Sequence, residues 1–172
     1  EAVTPIYEDT VSASFYNECC VAAVKAVVAC SDAKLTALEI GAGVGGTASF
    51  ILPVIKGQCK SYYFTDVSDG FMRQARVRFA EYGFLIYSLL NVDADPRLQG
   101  FASLQCDLII ATNVLHATPF MRNTLRHCDE LLRLGGVLIV KHGRRAPRPE
   151  AFALLQLAME RALGMPVAAL DA

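Results

Sequence analysis

Five short apolar runs punctuate this chain, and each is separated from the next by a segment long enough for a helix. They are LTALEI at 35–40, SYYFTD at 61–66, FLIYSLL at 84–90, CDLIIAT at 106–112 and GVLIVK at 136–141. Short apolar runs that lack strict alternation read as strands buried on both faces. Strands joined through helices must run parallel, because a tight turn can only return the chain antiparallel. Right-handed crossovers then place helices on both faces of the sheet. The expected fold is therefore α/β: a doubly wound, mostly parallel, Rossmann-like sheet that stops after its fifth strand. With 172 residues the chain is about one domain long. Such sheets bind ligands in the crevice outside the carboxyl ends of their strands, at the point where strand order reverses.

The intervening segments carry helical punctuation. Residues 11–30 read as a helix with Phe15, Cys19, Ala22 and Ala26 as its apolar stripe and Glu18, Lys25 and Asp32 on its polar side. A second helix starts near Thr47, contains Pro53, which should kink it, and ends at Gly57. Ser68 is placed to cap a third, with Phe71, Ala75, Phe79 and Tyr82 inward and Gly83 as its stop. Thr118-Pro119 opens a fourth, with Met121, Leu125, Cys128 and Leu132 inward and Gly135 closing it. After Lys141 the character changes: HGRRAPRP at 142–149 reads as a linker, and 150–172 as a terminal helix with Phe152, Leu155 and Met159 on one face. The core thus spans 1–141. Glu1 in place of an initiator Met reads as a segment cut from a longer polypeptide.

Composition narrows the function classes. Hydrophobic residues make up 53% and charged residues 19%, the opposite of a disordered tail. Sixteen basic residues face seventeen acidic ones, so no electrostatic footprint for nucleic acid or an anionic membrane is expected. No apolar run approaches the roughly 18 residues of a membrane span. The six cysteines form no CxxC pair, so no metal site is expected. Most lie in apolar stretches and read as buried thiols of a reducing cytoplasm.

The chemistry concentrates at EIGAGVGG, 39–46. Gly41, Gly43 and Gly46 form GxGxxG between a strand and a helix, the context in which that motif binds an adenosine cofactor. Asp66 ends the second strand, 20 residues after Gly46, where an acid accepts hydrogen bonds from ribose hydroxyls. These residues alone fit either a dinucleotide or S-adenosyl-L-methionine. Three features favour the latter. Glu39 suits a cationic cofactor and would repel a pyrophosphate. The turn 41–47 carries no Lys or Arg. NVLHAT at 113–118 sits at the end of the fourth strand, where a reacting group would meet the cofactor. His127, mid-helix, reads as structural.

LEIGAGVGGT, YYFTDVS, LNVDADP, QGF, CDLIIATNVLHAT and LLRLGGVLIV together resemble the C-methyltransferase domain of polyketide synthases, over residues 7–140. The resemblance implies a class I methyltransferase fold and S-adenosyl-L-methionine as donor. It implies, as substrate, a β-ketoacyl thioester on an acyl carrier protein, methylated at its α-carbon within a multidomain synthase. By position, Glu39, Gly41 and Gly43 would hold the methionine part, with Ala42 beside them. Asp66 would bind the ribose, with Val67 next to it. Asn91 and Val92 would border the adenine, Asn91 standing where the family more often has Asp. Asn113 would lie beside the cofactor, and His116 would be the catalytic base. A neutral imidazole, with an ordinary pKa of about 6.5, suits removal of a proton acidified by two carbonyls.

The chain departs from the family at His142, where the family carries a Glu that partners the base. Two imidazolium charges repel where a carboxylate would stabilise. The family domain also continues with further strands, and the segment EAFALLQLAMERALGMPVAALDA resembles the first helix of an acyl carrier domain. Two alternatives follow: a non-catalytic scaffold of the same fold within a megasynthase, or a free-standing methyltransferase acting on O or N of a small molecule.

Overall fold

The computed structural model describes residues 11–115 and 118–141, with side chains from residue 17 onward. His116, the linker at 142–149 with His142, and the segment 150–172 lie outside the described residues.

In chain order the elements are α1 (Val11–Ala29), β1 (Leu35–Ile40), α2 (Ala48–Ile55), β2 (Cys59–Asp66), α3 (Asp69–Arg78), β3 (Leu85–Leu89), a 3-10 turn (Pro96–Gln99), β4 (Cys106–Thr112), α4 (Met121–Leu131) and β5 (Leu132–Lys141). The strands form one sheet in the order β3-β2-β1-β4-β5, and every neighbouring pair is parallel. Strand order reverses between β1 and β4, which places the switch point where the glycine-rich turn leaves β1.

Successive residues of the central strands serve two different cores, the signature of a sheet covered on both sides. Ala37, Tyr62, Phe64, Leu108 and Ile110 face a core with Cys20, Val24, Ile51, Leu52 and Met72. Leu38, Ile40, Ile109 and Ala111 face another with Leu90, Val92, Phe101, Cys128 and Leu131. The helix α1 packs on α2 and reaches β5; α3 lies over β2 and β3; α4 lies against β5. Among the described residues no helix is long and apolar enough to cross a membrane.

Several expectations need correction. From residue 17 onward the buried side of α1 is Asn17, Cys20 and Val24, whereas Cys19, Ala22 and Ala26 are exposed, and the Phe15 side chain lies outside the described residues. The segment is apolar nearly all round, so periodicity could not fix its phase. Cys30 is also exposed, so only Cys20, Cys59, Cys106 and Cys128 are the buried thiols expected. The helix α3 ends at Arg78 rather than running to Tyr82, and Ser68 caps it with no side-chain bond. Phe71 is exposed rather than inward; Met72, Ala75 and Phe79 are buried instead. The helix α4 starts at Met121, and β5 begins at Leu132, inside the stretch expected to be helical. There Gly135 adopts a left-handed conformation within the strand instead of stopping a helix.

Candidate functional site

A cavity of about 300 Å³ opens at the carboxyl ends of β1, β2, β4 and β5. Its size lies at the small end of small-molecule sites. Its wall brings together seven residues read from the sequence as site residues, Glu39, Gly41, Ala42, Gly43, Gly46, Asp66 and Asn113, and adds others, among them Asn17, Phe71, Thr112 and Lys141.

The turn after β1 is built so that its backbone can approach a ligand. Gly41 and Gly43 both have left-handed backbones, at φ +65° and +56°, a region costly for other residues. A Cβ on Gly41 would stand 2.6 Å from Val114 Cγ2, whereas one on Gly43 would meet nothing within 4 Å. The Gly43 cradle is thus space that a ligand, not protein, can fill. The turn's amides are turned inward. Ala42 N–H donates to the Thr65 carbonyl, Gly45 N–H to the Ala42 carbonyl, and Gly43 N–H to Asp66 Oδ2 at 2.9 Å. A dinucleotide turn instead presents such amides to a pyrophosphate. Here a carboxylate occupies that place.

Asp66 is held from both sides, since its Oδ1 accepts from Ser68 N–H at 2.9 Å. Each oxygen keeps lone-pair capacity beyond these bonds. Glu39 is 1% exposed and accepts the Tyr62 hydroxyl at 2.8 Å. Burial pushes its carboxyl up to about 8; the Tyr62 bond opposes that, Asp66 adds to it, and Lys141 opposes it. Burial also pushes the Tyr62 hydroxyl well up, with Glu39 adding to it.

Asn113 closes the opposite wall with φ +53°, the one positive-φ non-glycine among the described residues. Asparagine tolerates this conformation. Its N–H donates to the Lys141 carbonyl at 2.8 Å, which ties the end of β4 to the end of β5. Thr112 Oγ1, in the same wall, is buried without a hydrogen-bond partner among the described residues.

Three expected site residues lie outside this wall. Val67 is 71% exposed. Asn91 is exposed and engaged in its own loop: its Oδ1 accepts from Asp93 N–H and its carbonyl from Gln99. Val92 is buried, and its carbonyl lies 2.8 Å from Nδ1 of the buried His127. His127 is therefore a structural residue that pins the loop after β3, as read from the sequence. Among the described residues no cluster of metal-binding side chains is present.

Lys141 and Asn17 were missed. Lys141 had a legible signal, a lone charge at the carboxyl end of an otherwise apolar strand. Asn17 had none, because it sits on a helix whose phase the sequence leaves open.

A family model described as a methyltransferase domain matches residues 38–138. Among curated proteins, the chain is similar to the highly reducing polyketide synthase verA of Penicillium polonicum, 46% identical over 106 residues, or 61% of this chain and 4% of that one. Among solved structures it is similar to the CurJ carbon methyltransferase, with 36% identity, a TM-score of 0.79, and 91% of this chain and 42% of that one covered. It is also similar to the trans-methyltransferase CalH in complex with SAH, with 34% identity, a TM-score of 0.67, and coverage of 73% and 38%. The chain therefore spans a small part of the curated relative and about two fifths of the solved ones.

Proposed function

Because the chain belongs to the methyltransferase domain family, we propose that its cavity holds S-adenosyl-L-methionine and that it is the C-methylating domain of a polyketide synthase. Its substrate would be a β-ketoacyl thioester on an acyl carrier protein, methylated at the α-carbon, in the cytoplasm. The observation that carries the cofactor is the pair of carboxylates, Glu39 on β1 and Asp66 at the end of β2, that flank one glycine turn whose Gly43 amide Asp66 already occupies. Such a wall attracts a cation and repels a pyrophosphate.

The residues present fit the group. The Gly43 cradle is open, Asp66 retains acceptors for the two ribose hydroxyls, and Glu39 faces the cavity where a positive charge would lie. When bound, the cofactor supplies an electrophilic methyl group. The protein's own tasks are then to hold, orient and deprotonate. Empty, Glu39 is mostly neutral near pH 7, and an incoming cation draws it to ionise. Asp66, clamped by the Gly43 and Ser68 amides, cannot swing away and so sets the ribose position. His116, three residues beyond the left-handed Asn113, would take the α-proton from the substrate. Holding the two reactants in line supplies most of the acceleration such a transfer requires.

A second reading rests on His142, which stands where the family has Glu: a domain that binds the cofactor but lacks the oriented base. One experiment separates these. Calorimetry with S-adenosylhomocysteine is paired with mass spectrometry of a β-ketoacyl carrier protein incubated with the methyl donor. Binding with a gain of one methyl is expected. Binding without that gain favours the scaffold, and His142→Glu should then raise turnover. A chain that takes up no heat of binding leaves only the fold.

A further inference from the structure

The methyl-donor reading uses Glu39, the glycine turn and Asp66, and leaves a cation in the same wall without a task. We propose that Lys141, oriented by Asn17, anchors the carboxylate of the cofactor's amino-acid end, so that Glu39 and Lys141 together clamp an α-amino-acid zwitterion. This rests on the methyl-donor reading and adds to it the subsite that recognises the carboxylate.

Lys141 ends β5 opposite Thr112 of β4, and its carbonyl is held by the Asn113 amide. Its backbone is therefore fixed at the rim. Its Nζ donates to Asn17 Oδ1 at 2.6 Å, and both residues line the cavity. Asn17 is 1% exposed, and an asparagine buried this deeply on a helix face is retained only where it is hydrogen-bonded. Here its bond aims the ammonium. Among the described residues Asn17 is the one hydrogen-bond acceptor Lys141 meets and no carboxylate pairs with it, so two of its three N–H donors remain for a ligand.

Charge decides the occupant. A lysine near a sulfonium and an ammonium would repel both and weaken binding unless the ligand also brought a negative group within its reach. The methyl donor brings one carboxylate, on the carbon that bears its ammonium. The wall holds two acids, Glu39 and Asp66, and one base, Lys141. The ligand has two positive groups and one negative, so its net charge opposes that of the wall, and Lys141 is the wall's one group able to pair with the carboxylate. Burial holds Lys141 below its ordinary value, with Cys20 and Glu39 opposing that. A half-buried ammonium short of partners is the state that a bound carboxylate relieves.

The test uses calorimetry on the whole chain with S-adenosylhomocysteine and with its analogue lacking the carboxylate. Wild type should bind the analogue about ten- to a hundredfold more weakly, the value of a charge-assisted pair. Lys141→Met, which keeps the apolar stem, should weaken S-adenosylhomocysteine by a similar factor and leave the analogue bound at least as tightly as by wild type, since the charge that repels its ammonium is gone. Lys141→Arg, which keeps the charge, should retain part of the discrimination and guards against a Met variant that folds poorly. Equal binding of both ligands by wild type overturns the inference while leaving the methyl-donor reading intact. So does a Met variant that weakens both ligands alike. Failure of wild type to bind either ligand removes the methyl-donor reading itself.

Discussion

Replacing Glu39 with Gln separates what this carboxyl does for the fold from what it does for a ligand. In the folded, empty protein burial raises its pKa from 4.5 to about 8. The folded chain therefore binds a proton that the unfolded chain has released at every pH between those values. Because the raised value belongs to an acid, its contribution to stability is best below pH 4.5 and worsens as pH climbs toward 8. Each pH unit in that window is worth about 1.4 kcal/mol, so at pH 7 the group lowers stability by about 3 kcal/mol. Gln has nearly the same shape, keeps an acceptor for the Tyr62 hydroxyl and carries no titrating proton. In urea unfolding, Glu39→Gln should gain on wild type by about 3–4 kcal/mol between pH 5 and pH 8. The same variant should lose affinity for S-adenosylhomocysteine, since the ammonium then faces a neutral amide. A gap between variant and wild type that stays constant with pH would refute the placement of a buried, proton-binding carboxyl on β1. A stabilised variant that still binds the ligand at full strength would refute its role in the site.

Other outcomes follow from the same geometry. S-adenosylhomocysteine affinity in wild type should rise by up to about tenfold per unit between pH 6 and pH 8, as Glu39 gives up its proton on binding; titration calorimetry in two buffers of different ionisation heat should detect the released proton. Asp66→Ala frees the Gly43 and Ser68 amides, and should cost about 1–3 kcal/mol in thermal unfolding and remove ligand binding. Gly45→Ala should destabilise by more than about 2 kcal/mol, because its φ is +85° and a Cβ there runs into the Phe79 ring. Leu38→Ala, fully buried in the centre of the sheet, should cost about 2–5 kcal/mol with the ligand affinity of the surviving fold little changed.

Much of this molecule was legible in one dimension because its governing constraints are local. An apolar run ending at Gly41 reads as a strand that stops there, and five such runs parted by helices give a parallel sheet covered on both faces, whereas the order of its strands came only with the fold. From Gly41 to Asp66 the chain runs through one turn, one helix and one strand, so their meeting at the same end of two strands follows from connectivity. Glu39 belongs to the same case: a charge inside an apolar strand, two residues before the turn, has no other place to point.

Contacts between distant elements were decided by tertiary structure alone. Which side of α1 is buried depends on how it settles on α2 and β5, and an almost uniformly apolar helix presents no stripe to settle the choice. Asn17 became a wall residue only through that choice. Its bond to Lys141 joins residues 124 positions apart, and no pattern along the chain encodes such a pairing. The raised pKa of Glu39 has the same origin. Water is excluded from that carboxyl by side chains drawn from several elements at once, and this desolvation exists only after the sheet and its covering helices have closed together.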